Sequence, residues 1–243
     1  MDYLSLFTGA GGGDLAMQHL LGFRCLGYVE IDHYCQEVIK QRIADGLLDP
    51  APIFGDIRRF ISDGYAASYT GLVDVVSGGF PCQPFSVAGK RAGADDPRNM
   101  WPATIGCIRI IRPRFAFLEN VPGLLNSGYF GRIIGDLAEA GYDARWCVLS
   151  AADCGAIHLR ARLWIVAYST MLDDTWSFAS ERRGGVGWSP KLGRHMWGGA
   201  RPEPCCLDDG LPEQLGELKA YGNGQVPIVA ATAWRLLTGD MNV

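Results

Sequence analysis

At 243 residues the chain is long enough for one large domain with a buried core. Its 48% hydrophobic and 20% charged content excludes disorder, collagen and coiled coil as whole-chain descriptions, while 32 glycines and 13 prolines point to many turns and close backbone approaches. The net charge of −4 argues against a uniformly basic nucleic-acid binder. In chain order, Leu4-Ser5-Leu6-Phe7 reads as a short buried strand, Thr8 to Gly13 as a glycine-rich loop, and Asp14 as the cap of a helix carrying Leu15, Met17, Leu20 and Leu21. Cys25 to Val29 is a second strand ending at Glu30, followed by a helix to about Ile43 and a weak strand at Ile53-Phe54 before Asp56. Val73 to Val76 leads into Ser77-Gly78-Gly79; a helix follows over Ala103 to Ile111, a strand over Phe115 to Leu118 and a helix over Tyr129 to Ala140. Strands at Cys147 to Leu149 and Leu163 to Ala167 complete the set, and Val229 to Leu237 is a closing helix.

Strands alternating with helices predict an α/β fold with a mostly parallel sheet, helices on both faces, and ligands at the carboxyl ends of the strands. From Ser169 to about Leu211 the periodicity vanishes among Gly, Pro, Trp and Arg. The expected organisation is therefore a main domain over 1–168, a small variable region over 169–212, and a segment over 213–243 that returns to the main domain. No run of about 18 apolar residues exists, and Met1-Asp2-Tyr3 lacks a basic start, so a soluble cytoplasmic protein with no membrane partner is expected.

Charge is segregated along the chain. Residues 88–114 and 158–201 each carry a net charge of +4, set in acidic surroundings. The eight cysteines contain no C-x-x-C pair, which argues against structural zinc or a disulfide framework and leaves reduced thiols; no metal is expected. Cys25, Cys107 and Cys147 read as small buried hydrophobes. Cys82 differs, because Gly79-Phe80-Pro81-Cys82-Gln83-Pro84 places it between two prolines in a loop after a strand. A thiol is only a few per cent thiolate at pH 7, and Lys90, Arg91 and Arg98 in the following loop supply the positive surroundings a nucleophile needs.

Phe7-Thr8-Gly9-Ala10-Gly11-Gly12-Gly13 after a strand lets backbone approach a ligand, yet Asp14 stands where a dinucleotide fingerprint needs its third glycine. A nucleoside therefore fits better than a pyrophosphate. Glu30 is placed to accept from both hydroxyls of a ribose and Asp56 from an adenine amino group; each could instead be an ordinary helix-capping acid.

The motifs F-x-G-x-G at Phe7 to Gly11, the acid Glu30, Gly55-Asp56-Ile57, G-F-P-C-Q at Gly79 to Gln83, E-N-V at Glu119 to Val121, R-x-R at Arg160 to Arg162, and Gly222-Asn223 occur in one order. This set resembles the cytosine-specific DNA methyltransferases that act at ring carbon 5, in a small form like those of phages and prophages. The resemblance implies a Rossmann-like S-adenosyl-L-methionine-dependent fold, with S-adenosyl-L-homocysteine as product. It also implies double-stranded DNA as partner and a place in restriction-modification. By matching position, Cys82 would add to ring carbon 6 of cytosine, Glu119 would hold the ring nitrogen and exocyclic amine, and Arg162 the exocyclic oxygen; Arg160 would orient the site or contact phosphate. Phe7, Gly9, Gly11, Gly12, Glu30, Ile31, Asp56, Ile57, Met100 and Asn223 would line the cofactor pocket. The reacting edge lies inside the duplex, so the resemblance implies flipping the base out, at a cost of a few kcal/mol. Gln83, Ser86, Lys90, Arg91 and Arg98, with Arg182, Arg183 and Arg194 in the variable region, are the expected DNA contacts, and the two +4 segments would share the edge that carries the chemistry.

Three features depart from the family pattern. His158 stands where a glutamine is usual, Gly224 where a small polar residue usually follows the asparagine, and the variable region is much shorter than usual. A brief or relaxed target, or completion by a homodimer or a helper subunit, is the expectation. An RNA cytosine methyltransferase on the same fold, a catalytically degenerate binding homologue and, more distantly, a nicotinamide oxidoreductase are the rival readings.

Overall fold

The computed structural model describes residues 1–81, 99–171 and 224–239. Seven strands form one sheet: β1 Asp2–Leu6, β2 Arg24–Val29, β3 Ile53–Phe54, β4 Val75–Gly78, β5 Phe115–Asn120, β6 Tyr142–Leu149 and β7 Arg162–Ser169, in the order β3-β2-β1-β4-β5-β7-β6. The helices are α1 Gly12–Leu15, continued by a wider turn over Ala16–Leu20, α2 His33–Ala44, α3 Ile57–Ser62, α4 Trp101–Ile111, α5 Tyr129–Glu139 and α6 Pro227–Thr238. The α/β reading with a mostly parallel sheet holds. Pairs among β1 to β5 are parallel, whereas β7 runs antiparallel to both β5 and β6. A parallel return needs a crossover, usually a helix; residues 150–161 contain only the short turn Ala152–Cys154, so β7 comes back antiparallel.

Period-two alternation divides each central strand between two cores. In β5, Ala116 and Leu118 face α3, α4 and α5, with Trp101, Ile108, Ile133 and Leu137, while Phe115 and Phe117 face the other side. There α6 docks through Trp234, which is 2% exposed and meets the edges of Phe23, Phe115 and Phe117 at centroid distances of 5.3, 5.5 and 5.4 Å. Pro227 in the first turn starts this helix, where a missing N–H costs nothing, and Gly239 in the left-handed conformation ends it. Trp234→Ala is expected to cost about 3–5 kcal/mol of stability in denaturant titrations; a loss below about 1 kcal/mol would mean that α6 is not held in this way.

Helix starts differ from the sequence reading at one informative place. Gly11, with φ 79°, caps α1, and Asp14 lies inside the helix, buried and accepting from the Tyr3 hydroxyl at 2.9 Å. Burial pushes the Asp14 carboxyl up to about 6 from the ordinary 3.8, against hydrogen bonds from Ser5 and Tyr3 and the attraction of Arg42. The folded chain therefore holds this proton more tightly than the unfolded one, and stability falls as pH rises from about 4 through about 6. Asp14→Asn, which keeps the acceptor for Tyr3, is expected to gain up to about 3 kcal/mol at pH 8 and nothing at pH 4. Equal gains at both pH values in urea titrations would refute this account.

The buried thiols behave as read. Cys25, Cys107 and Cys147 are buried and in no disulfide, and burial raises Cys107 and Cys147 to about 12. The basic segment 88–114 does not all reach the carboxyl edge of the sheet. Arg112 caps the far end of α4, Arg114 pairs with Asp74 at 3.5 Å just before β5, and Arg109 pairs with Glu139 at 3.5 Å. These three stand at the opposite edge because α4 runs back along the sheet before β5 begins.

Candidate active site

β1 is followed by Phe7, whose φ of 53° is a left-handed value that a large side chain rarely adopts. Gly9 and Gly11 continue the turn at φ 57° and 79°, and at Gly9 nothing lies within 4 Å of the position a Cβ would take. Glu30, buried at the end of β2, closes this loop from below. Its Oε2 accepts from the Gly9 N–H at 2.6 Å and its Oε1 from the Asp32 N–H at 2.8 Å. Ile31 beside it is 64% exposed. Asp56 caps α3 by accepting from the Arg58 N–H at 2.9 Å, and its carboxylate also pairs with the Arg58 guanidinium at 2.7 Å, which lowers its pKa. The capping alternative thus describes Asp56 in this state. Ile57 is buried in the core. Met100 lines a cavity of about 340 Å³ with Arg58, Ile61, Asn99, Pro102 and Ala103. Arg58 and Asn99 were not singled out by sequence; their only signal was proximity to Asp56 and Met100.

The second cluster gathers around Glu119, the penultimate residue of β5. The antiparallel return of β7 pairs Glu119 with Trp164 and Asn120 with Leu163, so Arg162 begins its strand beside the Glu119 carboxyl. Arg162 Nε donates to Glu119 Oε1 at 2.9 Å. Burial pushes the Glu119 carboxyl above its ordinary value, opposed chiefly by Arg162, then by Arg160 and by a hydrogen bond from Gln225. Arg160 takes the unusual φ of 34° and donates through Nη2 to the carbonyl of Gly224, and burial lowers its pKa. The two segments in which Phe7 and Arg160 lie are thus held in strained turns on the same edge, a pattern common where a site must be shaped.

The segment leading to Cys82 crosses this cluster. A Cβ on Gly79 would lie 2.8 Å from Glu119 Oε2 and 3.1 Å from Gln225 Nε2. The buried Asn120 amide donates to the Phe80 carbonyl at 3.0 Å, and the Phe80 ring packs on Trp101 at 5.2 Å. Asn120 therefore anchors the residues just before Cys82, a role its place in E-N-V did not specify. Cys82, Gln83, Ser86, Lys90, Arg91, Arg98, Arg182, Arg183, Arg194 and Asn223 lie outside the described residues, as does most of 169–212. Glu119, Arg160 and Arg162 come together, and Phe7, Gly9, Gly11 and Glu30 form a second group beyond the end of β1. Gln225 joins the two; only its position in the last motif could have signalled it.

Among the described residues, no group of three or more His, Cys, Asp or Glu side chains could hold a metal ion, and no helix is long and apolar enough to cross a membrane.

Comparison with known proteins gives a consistent result. The C-5 cytosine-specific DNA methylase family pattern matches residues 1–183. Type II methyltransferase M.NgoMIV of Neisseria gonorrhoeae is 35% identical over 167 residues, covering 68% of this chain and 50% of that protein. M.NaeI of Lentzea aerocolonigenes is 30% identical over 248 residues, covering 99% of this chain and 58% of that one. The chain thus spans about half the length of these relatives. Among solved structures, a DNMT2 mutant of Spodoptera frugiperda superposes with a TM-score of 0.61 at 25% identity, over 79% of this chain and 56% of that one. With the motifs in order, the matched sheet and the paired Glu119 and Arg162, the chain belongs to the C-5 cytosine-specific DNA methylase family.

Proposed function

We propose that the protein transfers a methyl group from S-adenosyl-L-methionine to carbon 5 of cytosine in duplex DNA, with the target base flipped out of the helix. The observation that carries this reading is the Glu119–Arg162 pair at 2.9 Å under Gly79, on the segment that runs into Cys82. A cytosine ring has a nitrogen and amine on one edge and an oxygen next to them, which a carboxyl and a guanidinium side by side match. Arg162 would meet the exocyclic oxygen, where negative charge grows as the ring is attacked. Glu119, with its pKa raised by burial, would give a proton to the ring nitrogen and accept from the amine. The Cys82 sulfur would add to carbon 6, making carbon 5 nucleophilic; loss of the carbon 5 proton and of the sulfur afterwards restores the ring. Glu119 and Arg162 bond each other, so entry of the ring would exchange their mutual hydrogen bond for bonds to cytosine.

The residues present fit an adenosine cofactor with a sulfonium. Gly9 leaves open space at a left-handed turn, Glu30 closes the loop, and the cavity at Met100 is lined in part by Arg58, the ion-pair partner of Asp56. Gly9, Gly11, Glu30, Ile31 and Met100 would hold it, and when bound it supplies an electrophilic methyl group. Lys90, Arg91, Arg98, Arg182, Arg183 and Arg194 are proposed to meet DNA phosphates, which makes binding salt-dependent.

The test is incubation of the purified chain with S-adenosyl-L-methionine and duplex DNA, followed by sequencing of methylated cytosines, with transfer RNA as a parallel substrate. 5-Methylcytosine in DNA is the expected result. Its absence from DNA in every sequence context, or its appearance in RNA alone, would overturn the reading.

A further inference from the structure

The last segment before α6 passes over the glycine loop, and one side chain there touches both halves of the site. At Gly12 an added Cβ would overlap the Gln225 carbonyl oxygen, and at Gly13 it would overlap Gln225 Oε1. On its other side, Gln225 Nε2 lies 3.1 Å from the Cβ position of Gly79 and its amide hydrogen-bonds the Glu119 carboxylate. The neighbouring Gly224 carbonyl accepts from Arg160. Three glycines, Gly12 and Gly13 at the start of α1 and Gly79 after β4, thus leave room for one residue, and α6 is anchored to the sheet immediately after it.

Resting on the reading of Glu119 as the group that holds the cytosine ring, we infer that Gln225 is a positioning residue for Glu119: it is wedged against the cofactor-side turn at Gly12-Gly13 and donates to the carboxyl from the C-terminal segment, while Arg162 donates from β7. The physical argument is one of degrees of freedom. A glutamate side chain turns about three bonds, and one Arg162 hydrogen bond leaves the carboxyl free to pivot about it. A second donor, itself fixed by backbone on two sides, removes that freedom. The same contact ties the cofactor-side turn and the base-side carboxyl to one group, so that shifting the glycine loop shifts the carboxyl.

Among the described residues, the charged groups acting on Glu119 are Arg162 on β7 and Arg160 in the segment before it. Both remain in a variant changed only at Gln225, so the effect of the amide can be isolated. Losing a donor to the carboxylate raises the pH at which the proton leaves, and placing a second carboxylate there raises it further. The experiment compares the wild-type full chain with Gln225→Met, which keeps length without the donor, and Gln225→Glu, which keeps the shape. The readouts are methyl transfer to duplex DNA against pH at saturating substrates, and melting temperature. The expected result is a kcat lower by about tenfold in both, KM for DNA within about twofold, and an alkaline limb moved upward by about one pH unit in Gln225→Glu and by less in Gln225→Met. A purely structural role would lower melting temperature or kcat without moving the limb. An active wild type whose limb is unmoved in both variants overturns the inference and leaves the proposed function standing. A wild type that methylates nothing overturns both.

Discussion

Cys82→Ala is expected to abolish methyl transfer, with a fall on the order of 10⁴-fold or more. Carbon 5 of a neutral cytosine is a poor nucleophile, and only addition of a soft nucleophile at carbon 6 gives it the electron density to attack a sulfonium methyl. Asn120 and Trp101 hold Phe80, two residues earlier, and alanine at position 82 removes neither contact, so the loss would be chemical rather than structural. The check uses duplex DNA carrying 5-fluorocytosine, on which the fluorine cannot leave as the proton does. Wild type should form a covalent adduct stable to denaturation and Cys82→Ala should form none, while both bind unmodified duplex alike. Methyl transfer within tenfold of wild type in the alanine variant would sink the nucleophile assignment.

Glu119→Gln is expected to reduce the rate by about 10²–10⁴-fold, the range a single positioned proton donor commands. An amide of the same shape can still bond Arg162 through its oxygen, so base binding should persist while protonation of the ring nitrogen is lost. The sign of the pH effect follows from burial. The Glu119 carboxyl holds its proton above the ordinary carboxylate range, with Arg162 the main opposing influence, so wild-type activity that needs this proton falls as pH rises through the elevated value. In Glu119→Gln that limb should disappear, leaving a low and flat alkaline side. Single-turnover methyl transfer at several pH values distinguishes the two. A variant that keeps the same limb would assign it to another group.

Most of the fold was legible because its strands are short apolar runs bounded by turn residues, and because Gly, Pro and Asp mark the element starts. Pro102 opens α4, Pro227 opens α6 and Asp32 caps α2 by accepting from the Cys35 N–H at 3.2 Å. Boundaries moved where capping was decided by backbone rather than by side chain. Gly11 took the cap that Asp14 was expected to supply, because Tyr3 in β1 drew the aspartate into the core. The site was legible as residue types: Glu119, Arg160 and Arg162 were named from motifs that lie about forty positions apart and they do meet.

What sequence could not supply was the direction of β7 and the path of the chain before α6. Local propensity specifies that residues 162–169 are a strand, but only the absence of a crossover helix, together with pairing between β5 and β6, turns it antiparallel and sets Arg162 against Glu119. Likewise a glutamine in a loop carries no periodic signal. Its position follows from Trp234 filling the aromatic pocket of Phe23, Phe115 and Phe117, which fixes α6 and delivers Gln225 between two glycine loops far away in the chain. The sequence by itself determined which chemical groups are present and which elements carry them. Long-range packing, which no local pattern encodes, decided which of those groups touch.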